Sequence, residues 1–141
     1  MVTNGDFANG LNGWTTYGTW VETPARSSPG AVRLGGGNSA GGGLQQGVTV
    51  PTNGQLEAWV WVEGGETSGA DQLQLQVGTG RSYQTISGST ITSAAARGTW
   101  HRVTADLTAY GGQSTNLRFL WSNDGTNPTT FTVDDISLVA G

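Results

Sequence analysis

Residues 55–63 constrain this chain more than any other stretch. In Gln55-Leu56-Glu57-Ala58-Trp59-Val60-Trp61-Val62-Glu63 every second residue is aliphatic, and the residues between are polar or aromatic. A strand turns that pattern into two coherent surfaces, because its side chains alternate faces with period two. Leu56, Ala58, Val60 and Val62 then form a face suited to a core, and Glu57, Trp59, Trp61 and Glu63 share the other. Two indoles flanked by acids are poor core material. Their spacing points to a surface platform on which something flat and partly apolar can lie. The run Asp71-Gln72-Leu73-Gln74-Leu75-Gln76-Val77 repeats the alternation, with Leu73, Leu75 and Val77 facing in and Gln72, Gln74 and Gln76 facing out. If these two strands are neighbours, an indole pair lies beside a glutamine row. That combination suits a polyhydroxylated ring, with aromatic faces for its CH groups and amides for its hydroxyls.

Glycine-rich punctuation separates similar short runs along the whole chain. Strands are predicted over 2–8, 14–22, 31–34, 44–50, 55–63, 71–77, 81–86, 99–107, 116–122 and 130–139. The run 35–43 is either a flexible loop or a stretch where backbones approach closely. Residues 93–97 allow one helical turn at most. About ten strands without a convincing helix predict an all-β, antiparallel two-sheet sandwich filling one domain, 1–141. Both ends read as strands that could pair in one sheet. The chain is expected to be a module of a longer, exported protein.

Composition narrows the function classes. The chain has 24 glycines, no lysine and a net charge of −4, with six arginines scattered along it. Nucleic acids and anionic membranes both call for a basic patch, so neither is an expected partner. With no cysteine, a disulfide, a thiolate nucleophile and a cysteine-based zinc site are impossible. His101 is the only histidine, and no serine or acid is arranged with it as in a catalytic triad. Asp134 and Asp135 are adjacent, so strand alternation sends them to opposite faces. Glu57 and Glu63 share a face but stand about 20 Å apart along a strand, too far to flank one glycosidic bond. No enzymatic activity is expected.

Several motifs resemble β-jelly-roll carbohydrate-binding modules. Val2-Thr3-Asn4-Gly5-Asp6-Phe7 followed by Leu11-Asn12-Gly13-Trp14 is similar to their opening. Phe131-Thr132-Val133-Asp134-Asp135-Ile136-Ser137-Leu138 is similar to their closing strand, and Trp100 to Tyr110 with Gly112-Gln113 to a late strand and turn. The chain most resembles the β-glucan and xylan binders of families 4, 16 and 22, and also family 81. The resemblance implies a monomer that binds β-glucan polysaccharide or cello-oligosaccharide (cellulose, β-glucan, xyloglucan) on one concave sheet face. It implies secretion together with an attached glycoside hydrolase. The positions carried over are Trp59, Trp61, Gln72, Gln74, Gln76 and Tyr83. Similar domains also occur in secreted bacterial peptidases, so a structural appendage without a sugar ligand is the alternative. A structural calcium near the termini is implied as well, held by Asp6 and Asp134. Ala8 stands where relatives carry a further acid, and Glu66, Asp71 and Asp124 offer a different site.

The remaining aromatics divide by parity. Trp14 and Trp100 are assigned to the core. Trp121 shares parity with Leu117 and Phe119 and should face inward, yet its place near a strand end could bring it to the rim of the cleft. Trp20 shares parity with Trp14 unless Gly18 introduces a bulge. Both Trp20 and Trp121 are kept as candidate ligand contacts. Tyr17 has the opposite parity and is expected at the surface. Arg118 falls on the non-core face with Leu120, where it either hydrogen-bonds sugar hydroxyls or forms a surface ion pair.

Overall fold

The computed structural model describes residues 2, 13–17, 19–22, 31–35, 41–64, 71–79, 82–86, 88–123 and 129–140. Among the described residues eleven strands follow in chain order: β1 Thr15–Tyr17, β2 Thr19–Glu22, β3 Ala31–Gly35, β4 Gly41–Thr49, β5 Gly54–Gly64, β6 Gln72–Thr79, β7 Ser82–Thr85, β8 Ile91–Thr92, β9 Trp100–Asp106, β10 Ser114–Ser122 and β11 Thr129–Ala140. They make two antiparallel sheets. The first has the order β1-β4-β10-β6-β7, with β8 also on β6; the second has the order β2-β3-β11-β5-β9. The all-β sandwich is the architecture expected from the alternating runs.

Alternation does its work inside the sandwich. The first sheet turns in Leu44, Val48, Leu73, Leu75, Val77, Leu117, Phe119 and Trp121. The second turns in Leu34, Leu56, Ala58, Val60, Val62, Phe131, Val133 and Leu138, and together they form one buried core. Trp14 joins it as expected, with its ring centroid 6.4 Å from that of Phe119. Packing two inward faces in this way buries each strand's aliphatic row and leaves its polar row outside.

Local chemistry explains where the expected boundaries shift. The run predicted as one strand over 14–22 is two strands in different sheets, since β1 pairs with β4 and β2 with β3. Glycines 41–43 belong to β4 and lie against Ser122, Trp121 and Leu120 of β10. There a Cβ on Gly41 would stand 3.1 Å from the Trp121 carbonyl oxygen, so the glycine run is, in this part, a close backbone approach. Residues 93–97 form turns and bends, and a single 3₁₀ turn covers Thr108–Tyr110. The expected first strand over 2–8 falls, apart from Val2, outside the described residues.

One irregularity matters for parity. Along β11 the partner of Trp59 is Asp134 and the partner of Glu57 is Ser137, so three steps on β11 match two on β5. Asp135 takes the extra place with φ 49°, a left-handed conformation that aspartate tolerates. The bulge restores the inward face: Phe131 and Val133 point in before it, Ile136 and Leu138 after it. Strict alternation therefore cannot be used to separate Asp134 from Asp135.

Candidate functional site: two outer faces of the sandwich

The decisive fact is that β5 and β6 are not neighbours. β5 lies in the second sheet between β11 and β9, and β6 lies in the first between β10 and β7. Trp59 and Trp61 are thus on one outer surface of the sandwich, and Gln72, Gln74 and Gln76 on the opposite one. The expected single platform of indoles beside a glutamine row does not exist. The physical reason is that β5 and β6, though consecutive in the chain, belong to different sheets, which alternation within each strand cannot reveal.

The outer face of the first sheet is built from aligned polar rows. Register places Thr15, Gln45, Arg118, Gln76 and Thr85 on one line across β1, β4, β10, β6 and β7. The next line carries Gly43, Leu120 and Gln74, and the line on the other side carries Gly47, Asn116, Gly78 and Tyr83. Side-chain hydrogen bonds join these rows. The Gln76 amide donates to Gln74 Oε1 at 3.3 Å and to Thr85 Oγ1 at 3.2 Å, and Gln74 donates to Gln72 Oε1 at 3.2 Å. Arg118 donates to Gln76 Oε1 through Nε at 2.9 Å and through Nη2. Tyr83 reaches from β7 across β6 and β10. Its hydroxyl accepts from Asn116 Nδ2 at 3.2 Å and donates to Gln45 Oε1 at 3.4 Å. The Arg118 guanidinium carbon lies 3.7 Å from the Tyr83 ring centroid, a cation–π geometry that occupies one face of the ring.

Gly78 makes this crossing possible. A Cβ there would fall 2.0 Å from the Ser82 carbonyl oxygen and 2.7 Å from Tyr83 Cα. Gln72 and Gln74 are half-buried and Gln76 is buried. The face is a fixed array of amide donors and acceptors, not a loosely solvated surface.

The outer face of the second sheet is aromatic and charged. Trp61 is paired with Trp100 across β5–β9, with ring centroids 5.6 Å apart and planes inclined by 58°. Trp100 is half-buried on this outer face and is therefore not the core residue expected. It carries the outward parity of β9, whereas Ala105 carries the inward one. Trp59 donates its indole N–H to Glu57 Oε1 at 3.1 Å, and Arg102 pairs with Glu57 Oε2 at 2.7 Å. The two inclined rings and this polar clamp make a ridge rather than a flat strip. Trp20 is a β2 residue placed opposite Arg33; its side chain lies outside the described residues.

Trp121 is not a rim residue. It is 4% exposed, and its indole N–H has no hydrogen-bond partner among the described residues. The parity that sends Leu117 and Phe119 inward holds for it too, strand end notwithstanding. Missing from the expected set are Gln45, Asn116 and Thr85. Parity opposite to that of the inward Leu44 and Val48 puts Gln45 outward, and parity shared with Arg118 does the same for Asn116, so the signal for orientation was present. Their proximity to Tyr83 was not legible.

The titratable groups offer little chemistry. His101 Nε2 is 2.7 Å from the Ala96 carbonyl oxygen and so donates to it. Asp71 is fully buried at the start of β6 and accepts from Thr129 Oγ1 at 2.6 Å. The Thr108 hydroxyl, the Thr108 backbone N–H and the Gln55 amide, in that order, hold the exposed Asp106 carboxylate below its ordinary value. Among the described residues no group of three His, Asp or Glu side chains could hold a metal ion. Asp134 is fully buried and its Oδ1 accepts from the Asp135 N–H. It would supply one carboxylate to a calcium shell that normally takes six to eight oxygens. Asp6, Glu66 and Asp124 lie outside the described residues.

The chain has the β-sandwich fold of several carbohydrate-binding module families. It is similar to the module TmCBM61, solved in complex with β-1,4-galactotriose, at 15% identity and TM-score 0.72 over 99% of this chain and 97% of that one. It is similar to a family 16 carbohydrate-binding module at 21% identity and TM-score 0.61 over 98% of both chains. It is also similar to the K3 cleaved adhesin domain of Lys-gingipain from Porphyromonas gingivalis, at 18% identity and TM-score 0.65 over 99% of both chains. No protein-family model and no curated protein sequence matches the chain.

Proposed function

We propose that this protein is a non-catalytic module that binds β-linked plant cell-wall polysaccharide on the outer face of its first sheet. Cellulose-type chains, mixed β-glucan and xyloglucan are the candidate ligands. One observation carries the reading: Gln72, Gln74, Gln76 and Arg118 form one hydrogen-bonded group and Gln45, Asn116 and Tyr83 another, and the Arg118 guanidinium over the Tyr83 ring joins them across four strands. Such an array offers pre-positioned donors and acceptors to successive sugar hydroxyls, and Leu120 supplies an apolar spot among them. Binding would raise the concentration of an attached, secreted hydrolase at its polymer through effective concentration, not chemistry. A few such contacts correspond to affinities of roughly micromolar to millimolar.

A second location for the same ligand class is favoured by the half-exposed Trp59, Trp61 and Trp100 of the opposite face, since aromatic pairs contribute about 0.5–1.5 kcal/mol beyond burial. Affinity gel electrophoresis against soluble polysaccharides separates the two. Gln74→Ala with Tyr83→Ala should abolish retardation, and Trp59→Ala with Trp61→Ala should leave it intact. The reverse pattern moves the site to the indole face. The structural-appendage alternative draws on the likeness to the gingipain domain; it predicts no retardation by any polymer and no shift of tryptophan emission. A parallel lane with a chelator tests the calcium proposed at Asp6 and Asp134.

A further inference from the structure

We infer that Arg118 marks a carboxylate subsite, so that the first sheet's outer face takes acidic polysaccharide whose sugars carry uronic acid groups. The inference rests on the reading of this face as a sugar site and names the class of sugar.

Charge placement is the first ground. The chain is acidic overall, yet its described acids avoid this face. Glu22, Glu57, Glu63, Asp106, Asp134 and Asp135 all belong to strands of the second sheet, and Asp71 is buried against Thr129. Arg118 sits at the centre of the first sheet, on β10, between Gln45 and Gln76. It is half-buried, and among the described residues no carboxylate pairs with it. Arg102 on the other sheet shows the contrast, since Glu57 neutralises it. A guanidinium taken partly out of water without a counter-charge is costly, and among the described residues its partners, Gln76 and Tyr83, are neutral.

Geometry is the second ground. Nε and Nη2 both donate to the single oxygen Gln76 Oε1, and the Tyr83 ring covers one side of the plane. The guanidinium is thus held in one orientation by its neighbours. A guanidinium has five N–H groups in a rigid fork. With two committed, both hydrogens of Nη1 and one of Nη2 remain, and one from each nitrogen forms the parallel pair that a carboxylate accepts bidentately. A hydroxyl oxygen can take both only as a shared acceptor, as Gln76 Oε1 does for the other pair, and it brings no negative charge to the guanidinium.

A matched pair of ligands tests this. Oligosaccharides of β-1,4-linked glucuronic acid and cello-oligosaccharides of equal length differ only in carrying a carboxylate in place of the hydroxymethyl group. Isothermal titration at low ionic strength should show the uronate binding at least tenfold more tightly. High salt should reduce that ratio, because screening weakens partly exposed charge pairs. Arg118→Gln should bring the ratio to about one, and Arg118→Lys, which keeps the charge without the fork, should leave an intermediate value; thermal melts confirm that both variants fold. Equal or weaker uronate binding, or a ratio unchanged in Arg118→Gln, overturns the subsite while neutral binding still upholds the sugar site. Dextran sulfate binding more tightly than the uronate would assign the subsite to sulfate esters instead. If neither oligosaccharide binds, the reading of the face as a sugar site falls with the subsite.

Discussion

Gly78→Ala is a small change with a large expected effect. The added methyl would lie 2.0 Å from Ser82 O, 2.7 Å from Tyr83 Cα and 2.9 Å from Ser82 C, where real Cβ contacts do not fall below 3.0 Å. All three obstacles are backbone, so no rotamer change relieves them. To bring the nearest contact from 2.0 to 3.0 Å, β7 must retreat from β6 by about 1 Å. That stretches an ordinary hydrogen bond of about 2.9 Å beyond its useful range. Because β7 is an edge strand, the cheapest response is for it to peel away. Overpacking of this kind costs roughly 1–3 kcal/mol. Lost ladder bonds add about 0.5–1.5 kcal/mol each, and the backbone entropy regained by the released residues, about 1–2 kcal/mol apiece, offsets much of that. We expect a net destabilisation of about 2 kcal/mol, or a melting point lower by about 4–8 °C for a domain of this size. The same displacement would pull Tyr83 from Gln45, Asn116 and Arg118, so polysaccharide retardation should fall as well. Gly47→Ala is the internal control: its Cβ would meet only Asn116 Oδ1 at an ordinary 3.5 Å, and alanine in a strand should gain about 0.5–1 kcal/mol over glycine. The assay is thermal unfolding followed by circular dichroism, with gel retardation alongside. A Gly78→Ala protein that melts at or above the wild-type temperature would refute the steric reasoning.

Two further outcomes follow from particular residues. Trp121→Phe removes an indole N–H that has no partner among the described residues, a relief of about 1–3 kcal/mol, and leaves a cavity costing a comparable amount; denaturant midpoints should move by less than about 1 kcal/mol and polysaccharide retention should not change, whereas selective loss of retention would return Trp121 to the site. Asp106 has a native pKa below its ordinary 3.8, so ionised Asp106 favours the folded state above that value, and the contribution disappears as pH falls through the lower native pKa; Asp106→Asn should therefore be less stable than wild type near neutrality and equal to it once both states are protonated, and a gap that persists into strong acid would contradict this.

Much of the architecture was legible from alternation. It assigned the inward rows Leu56–Val62 and Leu73–Val77 and the outward glutamines, and it placed Trp121 inward more reliably than its position near a strand end suggested. Those are local properties, because the period of a strand is fixed by its own backbone. Where that period broke, at the Asp134–Ser137 bulge, local reasoning lost its footing too. It also failed at residues 14–22, where a reading as one strand hid a change of sheet between β1 and β2.

What only the tertiary structure decided is which rows share a surface. Alternation sorts residues into inside and outside but carries no information about strand partners, because those are chosen by long-range hydrogen bonding and packing of both sheets at once. Chain order suggested that the tryptophans of β5 and the glutamines of β6 lie together; the change of sheet from β5 to β6 put the whole sandwich between them. The same change of sheet gathered Gln45, Asn116 and Tyr83, separated by dozens of residues in the chain, around an arginine that no carboxylate among the described residues pairs with.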